Sequence, residues 1–238
     1  MTRPESMSMM GHLEEFRSRL MKVLLAVAIG SVVGFYFNEE LLALLAKPYE
    51  VAIPGGTLTY FAVTEAFSVV MRVSLFGGVI LASPVILYQI WRFTSPALTS
   101  REKKWAYPIT AVFVSLFIFG VLLGYTALER GLAFLLEFGG DSLTPLVGAD
   151  RYLKFATRFI LAFGIAFEFP IFLFVAAAMG AVTSKKLREN RRWALLIILV
   201  AAAFITPSGD PMTLMLMSVP LYVLYEITII AIRLFLRK

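Results

Sequence analysis

Six long apolar runs, separated by short polar or charged stretches, constrain this chain more than any other feature. They lie at about residues 21–37, 67–91, 105–128, 159–179, 193–205 and 212–232. A helix needs about 20 mostly apolar residues to cross the hydrocarbon core of a bilayer. None of the runs shows the continuous alternation of a barrel strand. The sequence therefore predicts an all-α membrane protein, a single domain of six transmembrane helices over residues 1–238.

The composition excludes most soluble and catalytic classes of protein. Hydrophobic residues make up 59% of the chain and charged residues 16%, which are too few to cover the surface of a soluble fold of this length. The chain has no Cys and a single His, His12, so thiolate chemistry, His-cluster metal sites and a Ser/His hydrolase are excluded. We therefore expect no enzymatic activity, no cofactor and no metal.

Lys and Arg are distributed unequally between the two ends of the predicted helices. Of the 22 in the chain, sixteen fall on the side of the two termini and five on the opposite side, and Arg72 lies inside the second run. Because cytoplasmic loops carry the excess of Lys and Arg, both termini are predicted to be cytoplasmic. The same rule accounts for the net charge of +6, so we expect no nucleic-acid partner. No cleavable signal peptide is evident before the first run, which is expected to remain as a membrane anchor.

The fifth run is shorter than the others. Its 13 residues, 193–205, give about 20 Å of helix against a hydrocarbon core of about 30 Å. Either the flanking Arg side chains reach back to the interface or the bilayer is thinned locally. A further alternative is that the helix begins inside the preceding basic loop.

Two connections on the outer side are expected to form short caps. The first contains a helical stretch at 39–46, which Pro48 is expected to end because proline breaks the backbone hydrogen-bond pattern of a helix. The third contains an amphipathic piece at 131–138, followed by a glycine-rich break at 139–141.

Three ionisable residues fall within apolar runs: Arg72, Glu168 and Glu226. At the centre of a membrane helix each would cost roughly 2.5 to 3.5 kcal/mol, so each needs a partner, a polar pocket or a place near the interface. Arg72 and Glu226 lie close enough to the ends of their runs to reach the interface. Glu168 does not, and it precedes Pro170, which frees a backbone carbonyl one turn earlier. It is either a functional polar site or a structural partner, with Arg72 as one possibility.

Carboxylates also occur on the cytoplasmic side, among the bases. Glu14 and Glu15 precede the first run, and Glu102 lies among the bases of the second connection. Taken alone, these clusters are typical of solvated surface charge.

Six motifs give these clusters a context, in order along the chain. They are HLEEFRSRL at 12–20, LASPVILYQIWRFTSPALTSREKKW at 81–105, FGVLLGY at 119–125, FGIAFEFP at 163–170, ITPSGDP at 205–211 and VPLYVLYE at 219–226. Together they resemble the TatC family, the signal-peptide receptor subunit of the twin-arginine protein translocase. The resemblance covers the chain from His12 to about Arg233. It implies a concave bundle of six helices in the inner (plasma) membrane of a prokaryote.

The resemblance implies that the carboxylates of Glu15 and Glu102 receive the two arginines of a signal peptide. A guanidinium binds a carboxylate through two parallel hydrogen bonds, which Lys cannot reproduce. Glu14 is a neighbouring acid, and which of Glu14 and Glu15 is the main acceptor stays open, since adjacent helical positions lie about 100° apart.

Further residues at this face follow from the same resemblance. Arg17, Arg19 and Lys103 surround the acids and would disfavour other cationic sequences. Phe93 is carried over as an aromatic residue of the binding face, with a place in the interfacial aromatic belt as the alternative.

Other positions are implied to act in later steps. Glu168 matches the family's intramembrane acid, and Pro48 matches a position in the first outer loop that is needed for transport. Tyr125, Asp210 and Glu226 are expected to contribute to transport or to contacts with other subunits, although the turn around Asp210 is one residue longer than the family's. The implied partners are the single-span subunits TatA and TatB, other copies of this chain, folded precursors with twin-arginine signals, and membrane lipid. The implied driving force is the proton gradient.

Two other classes of function compete with this reading. A small-solute secondary transporter could use Glu168 as a proton carrier, but such proteins usually contain repeated halves, which the six runs do not show. An intramembrane enzyme is less favoured, because the aspartates form no paired metal motif.

Overall fold

The computed structural model describes residues 9–94, 106–137, 146–206 and 211–236. Over these residues the chain is almost entirely helical, and the one bridge of β type joins Thr59 to Gly148. The helices are α1 (Met9–Tyr36), α2 (Asn38–Ala52), α3 (Val63–Thr94), α4 (Ala106–Glu137), α5 (Ala149–Ala166), α6 (Phe169–Ala178), α7 (Ser184–Glu189), α8 (Arg191–Ile205) and α9 (Pro211–Ala231), which continues as a π-helical turn over Ile232–Leu236. The prediction of an all-α membrane protein is confirmed.

Five segments within the described residues are long and apolar enough to cross a membrane: Leu13–Tyr36, Val63–Phe93, Thr110–Leu136, Ala149–Ala178 and Pro211–Leu236. They correspond to five of the six apolar runs. The remaining run is α8.

Helix α8 is short in the structure as well. It begins at Arg191, after the separate helix α7 and the intervening Asn190, so it does start inside the basic loop. Its 15 residues still give only about 22 Å. The earlier start therefore lengthens the helix by only two residues and leaves it shorter than the hydrocarbon core.

Two expectations about helix ends were wrong. Helix α2 continues through Pro48 to Ala52, so proline does not end it. Helix α4 runs without interruption to Glu137, so the amphipathic piece at 131–138 is its last turns and not a separate cap, as far as the described residues extend. A single glycine, Gly131, is too weak a breaker to end a long apolar helix.

Helices α1 and α3 lie antiparallel in close contact because small residues face each other along their crossing. A Cβ atom added to Gly30 would lie 2.6 Å from the carbonyl oxygen of Gly78, and one added to Gly34 would lie 2.5 Å from that of Ser74. Such contacts let two membrane helices approach at backbone distance. The crossing fixes the register of the two helices, and therefore which side chains meet at their cytoplasmic ends.

The fourth span is divided in two. Helix α5 ends at Ala166 and α6 begins at Phe169, with Glu168 between them. Pro170, at the start of α6, has no N–H and cannot continue the backbone ladder from α5. Helix α5 also approaches α4 through glycines, since a Cβ on Gly120 would lie 2.8 Å from the carbonyl oxygen of Phe163. The break places a charged residue type at membrane depth.

Candidate functional site

The cytoplasmic ends of α1 and α3 bring together a carboxylate, a guanidinium and an amide. Glu15 and Arg19 lie one turn apart on the same face of α1, and the Nε of Arg19 donates to Glu15 Oε1 at 3.0 Å. A second hydrogen bond joins Arg19 Nη2 to the same oxygen. Arg19 Nη1 donates to Gln89 Oε1 of α3 at 3.2 Å. The Glu15 and Arg19 side chains are only 17% and 14% exposed, so this ion pair lies largely between the helices.

The two oxygens of the Glu15 carboxylate have different surroundings. Oε1 accepts both bonds from Arg19. Oε2 is buried and has no hydrogen-bond partner among the residues that the structure describes. A buried acceptor without a donor costs about 1 to 3 kcal/mol, more when it is charged. One half of this carboxylate can therefore gain free energy by receiving a donor.

An aromatic pair also joins α1 and α3 at this end. The rings of Phe16 on α1 and Phe93 on α3 meet edge to face, with their centroids 5.9 Å apart. Phe16 follows Glu15 directly in the chain and is half exposed. Phe93 thus lies at the α1–α3 junction, in contact with the residue that follows Glu15 in the chain.

Glu14 points to a different surface. It is exposed, and it lines an open groove along α1 together with Arg17, Ser18, Met21, Lys22 and Leu25. Arg17 is likewise exposed. The two adjacent acids are therefore separated by the helix: Glu15 faces α3, and Glu14 faces outward among bases.

Three of the sequence-predicted site residues lie outside the described residues. They are Glu102, Lys103 and Asp210.

Glu168 is buried in the apolar interior. It is 3% exposed, and neither carboxylate oxygen has a hydrogen-bond partner in the described parts of the chain. Its main-chain carbonyl accepts from the N–H groups of Ile171 and Phe172, which starts α6, but its side chain does not cap that helix. A carboxyl without a partner at this depth is able to contact another polypeptide or to bind a proton.

Arg72 does not pair with Glu168, so that structural alternative was wrong. Its Nη1 donates to Asp150 Oδ1 at 2.5 Å and to the main-chain carbonyl of Asp150 at 3.0 Å. Asp150 stands in the first turn of α5, at the outer end of the bundle. The ion pair ties α3 to α5 there, and Arg72 is held by this partner and not only by reaching the interface.

Glu226 is also paired. Its Oε2 accepts from Nη2 of Arg191 at 2.6 Å, and its Oε1 accepts from the hydroxyl of Tyr222 at 3.3 Å. Arg191 therefore joins the cytoplasmic start of α8 to α9. Glu226 acts in this fold as a structural tie between two helices.

Pro48 and Tyr125 belong to one arrangement at the outer end. Pro48 cannot donate to the carbonyl of Leu44, four residues earlier. The hydroxyl of Tyr125 on α4 donates to that carbonyl at 2.9 Å. The hydroxyl of Tyr152 on α5 donates to the next carbonyl, that of Leu45, at 2.7 Å. Two tyrosines thus fasten α2 across the outer end, and this is why the helix passes through the proline.

Replacing Tyr125 with Phe is expected to loosen α2. The Leu44 carbonyl then has neither the backbone donor that Pro48 lacks nor the hydroxyl, a loss of about 1 kcal/mol. Hydrogen–deuterium exchange of the α2 amides should accelerate about fivefold, whereas Tyr36→Phe, at an exposed tyrosine, should leave it unchanged.

A second substitution identifies the cause. Pro48→Ala restores an N–H that can donate to the Leu44 carbonyl, so Tyr125→Phe should have a smaller effect in that background. Equal acceleration in both backgrounds would show that Tyr125 does not serve this carbonyl.

Three participants were not found from the sequence: Gln89, Asp150 and Tyr152. Gln89 lies inside the motif at 81–105, and its polarity within an apolar run was the available signal. The partners of Asp150 and Tyr152 are 78 and 107 residues away in the chain, and no local pattern marks them.

Comparison with known proteins identifies the family. The family model described as Sec-independent protein translocase protein (TatC) matches residues 11–220. The TatC protein of Aquifex aeolicus is 40% identical over 230 residues, which cover 95% of each chain. That of Desulforapulum autotrophicum is 39% identical over 229 residues, which cover 95% of this chain and 84% of that protein.

Two solved structures agree in fold. A crystal structure of the twin-arginine translocase receptor TatC in DDM has a TM-score of 0.79 at 39% identity and covers 94% of this chain and 100% of that one. A second crystal structure of that receptor has a TM-score of 0.76 at 40% identity, with coverage of 94% and 98%. The chain belongs to the TatC family of Sec-independent protein translocase proteins.

Proposed function

We propose that this multi-pass membrane protein is the core receptor subunit of a twin-arginine translocation system in the inner membrane of a prokaryote. It binds the twin-arginine signal peptides of folded precursor proteins at its cytoplasmic face. With TatA-type and TatB-type single-span subunits and other copies of itself, it nucleates the complex that carries the precursor across, driven by the proton-motive force.

The observation that carries this proposal is the carboxylate of Glu15. It is held at the α1–α3 junction by Arg19, while Oε2 is buried without a partner among the described residues. A guanidinium from outside could satisfy both oxygens at once, as the planar fork of arginine does with carboxylates. Of the two adjacent acids, Glu15 is therefore the arginine acceptor, because Glu14 faces the exposed groove.

Arg19 acts in this proposal as a resident counter-ion. It keeps the Glu15 carboxylate paired when no signal peptide is bound, and Gln89 offers it a second acceptor. An incoming arginine exchanges for Arg19 and brings the same positive charge, so the carboxylate is never left unpaired during binding. A lysine could replace the charge but not the two-point geometry, which favours arginine.

Glu102 and Lys103 complete the site in this proposal as the second acceptor and its neighbour, and Phe93 offers an apolar edge beside the arginines. Glu168 serves a later step, in which its unpaired carboxyl at membrane depth meets a polar group of the signal peptide or of a partner helix. Asp210 contributes to contacts with the single-span subunits.

The small-solute transporter finds no support in the comparisons, since the relatives are named as protein translocase subunits. The names of the family model and of these relatives describe a protein translocase and no enzymatic reaction.

The test is crosslinking of a precursor to the full chain in membrane vesicles that also contain the single-span subunits. A photo-reactive group beside the arginine pair of a folded precursor's signal should crosslink to α1 near Glu15. Changing the pair to two lysines should lower the yield at least tenfold, while the amount of chain in the vesicles stays constant. Equal yields with both signals would refute the receptor function.

A further inference from the structure

The outer part of α5 carries a row of three cations. Arg151, Lys154 and Arg158 lie three and seven residues apart, so they share one face of the helix, and all three are exposed. This is the side of the membrane on which membrane proteins carry few Lys and Arg. The row is therefore not explained by topology.

Among the described residues these cations also lack an acidic partner. No ion pair with a carboxylate involves any of them in the parts of the chain that the structure describes. Asp150, the nearest acid in sequence, is already bound to Arg72. The three charges are thus available to an anion from outside.

The row borders a groove between α5 and the outer end of α8. The groove has a volume of about 550 Å³, and its apolar walls come from Phe155, Phe159, Ala162, Phe204 and Ile205. Phe204 is 86% exposed although it is a large apolar residue. The site therefore combines a cationic rim with an apolar wall that is open to the surroundings.

The polarity of the α5 face changes with depth. Arg151 is near the outer start of the helix, and Arg158 lies about 10 Å further along its axis. Beyond Arg158 the same face of α5 continues with the exposed apolar residue Ile165, seven residues further along. This surface has charge at its outer end and apolar residues below. It therefore matches a phospholipid, whose charged headgroup lies at the membrane surface and whose acyl chains lie below.

The short helix α8 accounts for the depth of the cations. Its outer end, at Phe204 and Ile205, lines the same groove as Arg158. The apolar part of α8, residues 193–205, gives only about 20 Å of length, so a bilayer that thins to match it brings lipid headgroups closer to the bilayer centre there. A cation placed one or two turns into α5 meets a phosphate at that level.

We propose that this groove binds an anionic phospholipid of the outer leaflet. The guanidinium groups of Arg151 and Arg158 and the ammonium of Lys154 hold the headgroup phosphate, and the acyl chains lie on Phe155 and Phe204. Basic pockets between membrane helices bind anionic headgroups in this way. The site lies on the opposite side of the membrane from Glu15, so it is separate from the proposed signal-peptide site.

Native mass spectrometry of the full chain in mild detergent tests the proposal. With equal amounts of phosphatidylglycerol and phosphatidylcholine added, the unaltered chain should retain phosphatidylglycerol at least tenfold more. Arg151→Gln/Lys154→Gln/Arg158→Gln should abolish that preference. The matched variant Lys185→Gln/Lys186→Gln/Arg188→Gln, which removes three charges from α7 at the cytoplasmic face, should keep it.

Two further measurements separate the outcomes. Arg151→Lys/Arg158→Lys keeps the charge and should retain a preference for phosphatidylglycerol of at least threefold. Arg158→Gln alone, the mildest change, should lower the preference of the unaltered chain at least threefold. Inorganic phosphate at 10 mM should not displace the lipid. An unchanged preference in the triple Gln variant, or displacement by phosphate alone, would overturn the lipid site. Precursor crosslinking at Glu15 reports independently on the receptor function.

Discussion

Replacing Glu15 with Ala is expected to lower crosslinking of a twin-arginine precursor at least 30-fold. The change removes the proposed acceptor and leaves Arg19, which now lacks its carboxylate, facing the incoming arginine. Losing one partner of a largely buried charge pair costs about 2 kcal/mol or more, which corresponds to about 30-fold in affinity. The measurement is the crosslinking yield at constant chain abundance in vesicles, with a photo-reactive group next to the signal arginines.

Glu14→Ala is the matched control, because it removes an identical side chain at the adjacent position. Glu14 faces the exposed groove, so the yield should fall less than threefold. Arg19→Gln should keep or raise the yield, since it removes the resident competitor while leaving the acid. Equal losses in Glu14→Ala and Glu15→Ala, or a loss in Arg19→Gln as large as in Glu15→Ala, would contradict the exchange of guanidinium groups.

Replacing Glu168 with Met is expected to abolish translocation while leaving the fold as stable as before, or more stable. The carboxyl is buried without a hydrogen-bond partner in the described chain, so an apolar side chain of similar length removes a penalty of about 1 to 3 kcal/mol. Transport of a folded precursor should fall more than tenfold if this acid meets a transient partner. Thermal unfolding in detergent and precursor import into vesicles measure the two effects.

Glu226→Gln is expected to lower the stability of the fold, in contrast to Glu168→Met. This glutamate has two partners, Arg191 and Tyr222, and loses its ion pair when neutralised. The unfolding temperature of the Glu226→Gln variant should fall, while that of the Glu168→Met variant should not. A marked loss of stability in Glu168→Met would mean that the acid has a structural partner in this chain, and unchanged import would remove its functional role.

The fold class was predictable because it depends on properties that run along the chain. The length and hydropathy of each apolar run set the number of spans, and the Lys and Arg count sets their direction. The structure confirms the all-α fold on this basis. The interruption near Glu168 was predicted only in part: the sequence indicated the carbonyl that Pro170 leaves free, but not that the helix ends there, and Pro48 ends no helix.

The partners of the charged residues were not predictable, because they depend on which helices become neighbours. Arg72 pairs with Asp150, 78 residues away, and Arg191 pairs with Glu226, 35 residues away. Pro48 was misread as a helix end for the same reason: the donor that satisfies the free carbonyl of Leu44 comes from Tyr125 on another helix.

The choice between Glu14 and Glu15 also could not be made from the sequence, because it depends on which helix lies next to α1. Helical geometry places adjacent positions about 100° apart, so the sequence states that only one of them faces the site well. Which one does so depends on the side of α1 that α3 covers. The glycine crossing at Gly30 and Gly34 determines that side, and it turns Glu15 inward.

The short helix α8 has an energetic consequence for assembly. The apolar part of α8 falls short of the hydrocarbon core by about 10 Å; where the bilayer thins to match it, at a fraction of a kcal/mol for each ångström, a few kcal/mol of elastic energy is stored in the lipid around it. Most of α8 is exposed on the surface of the chain, since only Ile198 and Ala202 of its residues are buried, so this lipid would lie directly against it. Any protein surface that covers α8 releases this energy. The membrane itself thus favours association at this helix, independently of the specific contacts made there.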